Sequence, residues 1–212
     1  MTTHTIPGQL FLLLTNDAGR QDSTSYRRQA LAAAAITELM LYERLTLTEE
    51  RSPKITVRDR TPLDLPVLDQ ALGALEELQG KALGSVIGHR SMDLTEVIGE
   101  GFAAVGAVQR KDGWFTTSWP THDDTYETSL RARIAGAVRD PGTASLQDRI
   151  LLDLLRALGI AHRILRDDLP ELSRRELDQR IRALEVQHPA ARAVKKLMDD
   201  MTAVMITTSV AT

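Results

Sequence analysis

Apolar positions recur at helical spacing along most of the chain, and this pattern predicts a mainly α-helical protein. The clearest run covers residues 67–78, where apolar side chains follow one another at intervals of three and four. An Ala-rich run over residues 30–41 brings small side chains to one face, which allows another helix to approach closely. The apolar residues 10–14 are too few for their period to be diagnostic, and we interpret them as a helix that ends in a turn at residues 16–19.

Capping residues support several of the remaining helices. Ser173 and Glu176 have the spacing of a capping box, and the hydroxyls of residues 23–25 are candidate N-caps for the Ala-rich helix. Gly106, a residue type that tolerates positive φ, marks one helix end. Helices are predicted at residues 10–14, 30–41, 67–78, 82–87, 94–105, 125–138, 145–158, 173–184 and 189–206.

Two places depart from the helical period and predict β-hairpins. Residues 44–47 and 54–57 alternate polar and apolar side chains around a polar turn. Residues 107–108 and 113–120 predict a second strand pair around a turn at residues 109–112, and the second of these strands carries both tryptophans. We therefore expect a mainly α fold, a compact single-domain helical bundle over residues 1–212 with one or two short β-hairpins and a flexible start at residues 1–7.

Composition and charge narrow the class of protein. A chain of 212 residues with 42% hydrophobic and 26% charged residues can bury the core of one globular domain. The formal net charge of −3 argues against a protein that coats nucleic acid, and no nucleic-acid partner is expected. The absence of cysteine excludes disulfides and thiol chemistry and favours the cytoplasm. The start of the chain lacks a signal-peptide pattern, and no apolar run reaches the roughly 18 residues that span a bilayer.

Sequence signatures of catalysis are missing. Gly99 and Gly101 lack the further Gly or Lys of a nucleotide-binding loop, and no Ser lies in a G-x-S-x-G elbow. The five histidines are scattered, and the one beside carboxylates, His122, cannot converge with its neighbours on a metal as an i, i+4 pair can. We expect no enzyme activity, no cofactor and no metal.

Two local features stand out from this background. Ser25, Arg27 and Arg28 lie near a predicted helix start, where hydroxyls, backbone N–H groups and guanidinium groups suit a phosphate; the alternative is an ordinary cap with two solvated arginines. Trp114, Phe115 and Trp119 are candidates to enter a membrane interface or a partner groove; the alternative is that they fill the core.

The sequence resembles the Golgi phosphoprotein 3 family in four passages that come in the family order. They are an apolar helix with an Asp/Gly turn at residues 10–19, a passage at 37–47 similar to E-L-x-L-x-x-R-L-x-L, a passage at 61–72 similar to P-T-G-D-x-L-L-D-E-A-L, and a hairpin with its following helix at 106–134. In the third passage Leu63 replaces the family's Gly. Arg outnumbers Lys 21 to 5, a bias typical of GC-rich genomes, and we predict a bacterial, actinobacterial member.

The resemblance implies a phosphoinositide pocket whose residues have changed here. In the eukaryotic members this pocket uses a Trp before the second helix, an Arg within it and two Arg on a later helix. These positions fall near Ser23, Ala32, Met92 and Thr95, so none is retained. Because each lost cation removes charge-assisted hydrogen bonds, phosphatidylinositol 4-phosphate should bind weakly or with altered specificity. Arg27, Arg28 and Arg90 are the nearest candidate replacements.

Two hypotheses from different classes follow from the residues and the resemblance. In the first, the chain is a non-catalytic adaptor, peripheral on the inner face of the membrane. Ser25, Arg27, Arg28 and Arg90 would bind an anionic phospholipid or phosphoinositide-like head group, and the aromatic hairpin would enter the interface or a sister subunit, with a protein client also possible. In the second, the chain is a soluble scaffold or small-ligand protein that forms homo-oligomers and has lost lipid binding.

Overall fold

The computed structural model describes residues 2–20, 26–114 and 116–184, and these residues form a mainly helical fold with two small antiparallel sheets. The helices of this part of the chain are α1 Ile6–Leu13, α2 Arg27–Leu41, α3 Pro66–Glu77, α4 Leu83–Ile87, α5 Thr95–Ala103, α6 Thr125–Arg139, α7 Leu146–Ala157, α8 Ala161–Leu165 and α9 Arg174–Ala183. The strands are β1 Leu45–Leu47, β2 Ile55–Val57, β3 Lys111–Asp112 and β4 Thr117–Ser118, and short 3-10 turns cover Thr2–His4, Arg90–Met92 and Pro141–Thr143.

The core is built around the contact between α1 and α2. Every residue of α1 is buried, and six consecutive residues of α2, at positions 30–35, are buried Ala or Leu. Because Ala projects only a methyl group, the two helices can pack closely over their whole contact. Buried apolar residues from α1 through α9 form one continuous cluster around this pair.

The first residues of the chain pack against this core. Thr2 is buried, and the Thr5 hydroxyl accepts a hydrogen bond from the Gly8 N–H at 3.2 Å, which caps α1. Gly8 and Gly101 lie so close to Thr2 that a Cβ on either would overlap with it. The segment that we expected to be flexible therefore contacts both α1 and α5 from Thr2 onward.

Most predicted helices are confirmed, including the short apolar segment after residue 5, which belongs to α1. The capping box of α9 is confirmed, because the Ser173 hydroxyl accepts from the Glu176 N–H at 3.3 Å and the Glu176 carboxylate accepts from the Ser173 N–H at 2.9 Å. Gly106 has the expected positive φ. The five-residue α8 was not predicted, since so short a helix leaves no detectable period. The predicted helix at residues 189–206 lies outside the described residues.

The start of α2 differs from the prediction. The helix begins at Arg27 with Tyr26 as its N-cap residue, and the Tyr26 side chain makes no capping hydrogen bond. The predicted hydroxyl caps at residues 23–25 lie outside the described residues. Arg27 and Arg28 are thus the first two residues of the helix, where the helix dipole adds partial positive charge to theirs.

The first hairpin is confirmed, whereas the turn of the second was misplaced. Strands β1 and β2 pair antiparallel, with Leu45 opposite Val57. In the second hairpin, β3 occupies two of the four positions predicted as turn, and the chain reverses later, where the Gly113 N–H donates to the Thr116 carbonyl at 3.0 Å. The polar side chains of β3 face solvent, so this strand lacks the alternation on which the prediction relied.

Candidate functional site

A cleft of about 750 Å³ opens where the start of α2 meets the turn after α1, the start of α5 and the second hairpin. The described residues that line it are Gly19, Arg20, Arg27, Arg28, Asp93, Thr95, Glu96, Lys111, Asp112, Gly113, Thr116, Thr117, Ser118 and Trp119. The two features that stood out in the sequence, the arginines near a helix start and the aromatic hairpin, therefore meet at one site.

Arg27 lies against the core at this cleft. It is only 6% exposed, and its guanidinium carbon stands 4.8 Å above the centre of the Phe11 ring, which in turn stacks on Phe102. Its one hydrogen bond within the described structure is a long one of 3.4 Å from Nη1 to the Thr15 hydroxyl. Burial lowers the pKa of Arg27, and the charge of Asp93 opposes that effect. The interpretation of Arg27 as a solvated surface cation is therefore wrong.

Arg28 and Lys111 supply exposed cations at the same cleft. The Arg28 Nε lies 3.3 Å from an Asp93 carboxylate oxygen, and the Arg28 side chain is about half exposed. Lys111 reaches the cleft from β3, and Arg20 reaches it from the turn after α1. Cations from three elements thus surround one space.

Two of the three carboxylates in the described lining of the cleft are hydrogen bonded to Arg110, which is not itself a lining residue. Arg110 donates to Glu96 and to Asp112, each at 3.0 Å, and also to Glu100. These hydrogen bonds raise the pKa of Arg110 well above its ordinary value. Within the described lining, Asp93 is then the carboxylate that remains to offset Arg20, Arg27, Arg28 and Lys111, so the cleft favours anions.

Trp119 belongs to the core and holds the hairpin in place, which corrects its prediction as an exposed anchor. It is 1% exposed, and its indole lies directly on Gly99 of α5, where any Cβ would overlap with the ring. Arg110 stacks on the outer side of the indole at 5.6 Å. The backbone N–H of Trp119 donates to the Gly19 carbonyl at 3.0 Å, so the hairpin is also hydrogen bonded to the turn after α1.

Trp114 has the opposite environment from Trp119. It lies in the reversal of the hairpin between Gly113 and Thr116, two residues of the cleft lining, and is 96% exposed. An indole so fully exposed beside a cationic cleft suits an apolar or interfacial surface. Of the two tryptophans, Trp119 therefore fills the core, as the alternative interpretation had it, and Trp114 does not.

The remaining predicted site residues do not join the cleft in the described structure. Arg90 is exposed in the 3-10 turn Arg90–Met92 and is not part of the lining. Ser25 and Phe115 lie outside the described residues. Of the positions that align with the family pocket, Ala32 and Met92 are buried in the core and Thr95 lines the cleft.

Sequence reasoning missed Asp93 and Lys111. Each is an ordinary charged residue in a polar stretch, and neither has a motif around it. Lys111 could have been suspected from its closeness to the aromatic hairpin, whereas Asp93 is brought to Arg28 by packing across 65 positions of sequence.

Metal binding and membrane spanning find no support in the described residues. Among them, no group of three His, Asp or Glu side chains could hold a metal ion. No helix in the described ranges is both long and apolar enough to cross a bilayer.

Comparison with known proteins identifies one family. Residues 6–201 match the family described as Golgi phosphoprotein 3 (GPP34). No curated protein matches the chain. The bacterial source predicted from composition stays a prediction.

Proposed function

The chain belongs to the Golgi phosphoprotein 3 family, a family of non-catalytic lipid-binding adaptors, and from this premise we propose that it is a peripheral membrane adaptor. The cleft receives the anionic head group of a phospholipid. The tip of the second hairpin enters the interfacial region beside it, and the protein associates with the membrane from the cytoplasmic side.

The observation that carries this proposal is the position of Arg27. A guanidinium that is almost fully buried normally has a carboxylate or several acceptors, because an isolated buried charge is costly. Among the described residues, the Arg27 side chain has one long hydrogen bond and a stacking contact, and it lines an open cleft. A phosphate oxygen in the cleft would give this charge a stronger acceptor than the Thr15 hydroxyl, and Arg28 and Lys111 would share the remaining charge of the phosphate.

The exposed hairpin tip supports a membrane as the source of that phosphate. Trp114 follows Gly113 of the cleft lining, so a head group in the cleft and an indole in the interface can be engaged together. Tryptophan prefers this interfacial region, because its ring is amphipathic. The two contacts would add, one electrostatic and one apolar.

The head-group preference should differ from that of the eukaryotic members. The residues at their four pocket positions are replaced, and two of the replacements, Ala32 and Met92, are buried in the core. The proposed cations, Arg27 and Arg28, enter the cleft from the first turn of α2. We therefore expect binding to anionic head groups in general, with at most a modest increment for phosphatidylinositol 4-phosphate.

Vesicle co-sedimentation tests the proposal. Wild-type protein should bind vesicles of phosphatidylcholine and phosphatidylglycerol, should bind less at high salt, and should not bind phosphatidylcholine alone. Arg28→Ala should weaken this binding roughly tenfold, since it removes a charge-assisted contact. The matched control is Arg166→Ala, which removes an exposed cation that is not part of the cleft.

The results that contradict the proposal are equally specific. Equal loss in the two arginine variants would mean that overall charge, and not the cleft, determines binding. No sedimentation with any vesicle would remove the membrane function. If the wild-type protein then also formed a concentration-dependent oligomer that Trp114→Ser dissolves, the alternative of a scaffold that uses the hairpin for self-association would replace it.

A further inference from the structure

Asp93 is one of the three acidic residues in the described lining of the cationic cleft. It lies between the 3-10 turn Arg90–Met92 and α5, and one of its carboxylate oxygens is 3.3 Å from Arg28 Nε. The other oxygen accepts the Thr95 N–H at 3.1 Å, which orients the carboxylate at the start of α5. The Asp93 charge also acts on Arg27, because it opposes the lowering of the Arg27 pKa by burial. One carboxylate therefore acts on both proposed anion-binding arginines.

The other two carboxylates of the described lining cannot play this part. Glu96 and Asp112 are both hydrogen bonded to Arg110, which satisfies their charge away from Arg27 and Arg28. Among the described lining residues, Asp93 alone pairs with a cation of the cleft itself. Its side chain is 37% exposed, so a ligand phosphate can approach it directly.

We propose that Asp93 is an internal counter-ion that competes with the ligand anion and sets the affinity of the cleft low. This inference rests on the proposed head-group binding. A phosphate that reaches Arg28 must take over the contact made by the Asp93 carboxylate, and it must do so against like-charge repulsion from that carboxylate. Asp93 thereby offsets part of the positive charge of the empty site, and the protein associates with membranes only where anionic head groups are dense or several contacts form together.

The substitution Asp93→Asn tests this role with little change of shape. Asparagine can form the same side-chain turn to the backbone two residues on as aspartate does, so the hydrogen bond from the Thr95 N–H is kept while the charge is lost. We expect Asp93→Asn to bind phosphatidylglycerol vesicles roughly fivefold more tightly than wild type at low salt, in line with the worth of a partly exposed ion pair. Binding should also fall more steeply as salt is added, because one more cation is free to pair with lipid.

A matched control separates this local effect from net charge. Asp167→Asn removes the same charge from an exposed side chain that is not part of the cleft lining. It should leave vesicle binding within about twofold of wild type, because Asp167 contacts Arg166 and none of the described cations that line the cleft. An equal gain in both variants would overturn the inference, since general repulsion from the membrane would then explain it.

A double substitution tests whether Asp93 acts through the arginine that it contacts. The gain from Asp93→Asn should shrink at least twofold when Arg28 is already Ala, since residues in contact are energetically coupled. An undiminished gain would overturn the role assigned to this ion pair. If Asp93→Asn reduces the melting temperature, Asp93→Ser, whose hydroxyl can accept the same hydrogen bond from the Thr95 N–H, takes its place in the same series.

The failure of this inference is distinguishable from the failure of the proposed function. Wild-type binding that Asp93→Asn leaves unchanged would overturn the counter-ion role and leave the adaptor function standing. No binding by wild type with clear binding by Asp93→Asn would overturn the proposed membrane function of the protein and support the counter-ion role alone. No binding by either would overturn both.

Discussion

Glu38 shows how a single buried group can control stability. Its carboxyl lies in the interface between α2 and α1, where it accepts the Ile6 N–H at 2.7 Å. Burial raises its pKa from 4.5 to about 7, and the hydrogen bond from Ile6 opposes that effect without cancelling it. Between these two values the folded protein holds a proton that the unfolded chain has released. Stability should therefore fall as the pH rises from about 4.5 to about 7 and should level off above that range.

The substitution Glu38→Gln should remove this pH dependence. Glutamine keeps an oxygen that can accept from Ile6 and has no charge to desolvate. At pH 8 the variant should be more stable than wild type, by at most roughly 3 kcal/mol, and at pH 4 the two should be similar. Urea denaturation across this pH range checks the prediction. A wild-type stability curve that rises with pH from 5 to 7 and follows that of Glu38→Gln would contradict the assigned pKa.

The two tryptophans differ at the residue scale although both lie in one short hairpin. Trp119→Ala should cost about 3 to 5 kcal/mol of unfolding free energy, because it empties the space between Gly99 and Arg110. Trp114→Ala should cost less than about 0.5 kcal/mol, because the exposed indole buries almost no apolar surface in the folded protein. Chemical denaturation of both variants is the measurement. Equal costs would contradict the burial of Trp119 and the exposure of Trp114.

At the scale of elements, the second hairpin combines a firmly attached base with an exposed tip. The base is hydrogen bonded to the turn after α1 and joined to α5 by Arg110. Because each ion pair of Arg110 is exposed, their share of global stability is small. Their effect should be local, on how often the hairpin separates from α5.

The substitution Arg110→Ala should therefore loosen the hairpin more than it destabilises the protein. We expect a change of less than about 1 kcal/mol in global stability. Amide hydrogens over residues 107–121 should exchange roughly fivefold faster, since this element would then open locally. Hydrogen exchange followed by mass spectrometry measures the hairpin and α1 in one experiment. Unchanged exchange in the hairpin, with faster exchange in α1, would contradict this assignment.

A second element-scale connection joins α6 and α7 to α1. Arg133 of α6 donates to the Asp148 carboxylate at 2.7 Å and to the Gln9 amide oxygen at 2.8 Å. Asp148 is almost fully buried and completes the capping box of α7 with Ser145. One carboxylate therefore serves both a helix start and the contact between helices.

Loss of the Asp148 carboxylate should reduce the stability of the protein more than most substitutions of a polar residue. Asp148→Ala should reduce the unfolding free energy by about 2 to 4 kcal/mol, because the capping bonds and the partner of Arg133 disappear together. The matched control is Asp178→Ala, whose partner Arg182 lies one turn away on an exposed helix face and whose loss should cost below about 0.5 kcal/mol. Thermal unfolding of both variants separates the two cases.

At the scale of the whole molecule, charge and exposure favour one orientation on an anionic surface. The formal net charge of −3 gives the whole protein a weak repulsion from an anionic surface, while the cleft presents cations from three elements. Trp114 lies at the same face, so the orientation that brings the cleft to lipid also brings the indole. Trp119 stays buried in that orientation.

The chain has two tryptophans, which makes this orientation measurable by fluorescence. Adding phosphatidylglycerol vesicles should shift the emission of wild type to shorter wavelength, because Trp114 leaves water. Trp114→Phe should lose that shift, and its remaining emission from Trp119 should be the same with and without vesicles. A persistent shift in Trp114→Phe would mean that binding alters the core around Trp119 and would contradict the orientation.

Much of the fold follows from local pattern, whereas much of the site does not. The helices from α3 to α7 and the first hairpin were predicted because their apolar spacing or alternation is local. The position of β3 was not, since its polar residues face solvent and leave no periodic signal. Within the site, Arg27 and Arg28 could be singled out as adjacent cations near a helix start, but their different burial could not, because it depends on what packs over each side chain.

The sequence by itself determined the helical class, the family resemblance and the absence of cysteine chemistry, because each depends on residue types and short-range spacing. Only the tertiary structure decided that Arg27 is buried against Phe11, that Trp119 fills the core while Trp114 is exposed, and that Asp93 lies beside Arg28. These outcomes depend on contacts between residues far apart in the chain, and burial and charge pairing are properties of such contacts, not of composition or period.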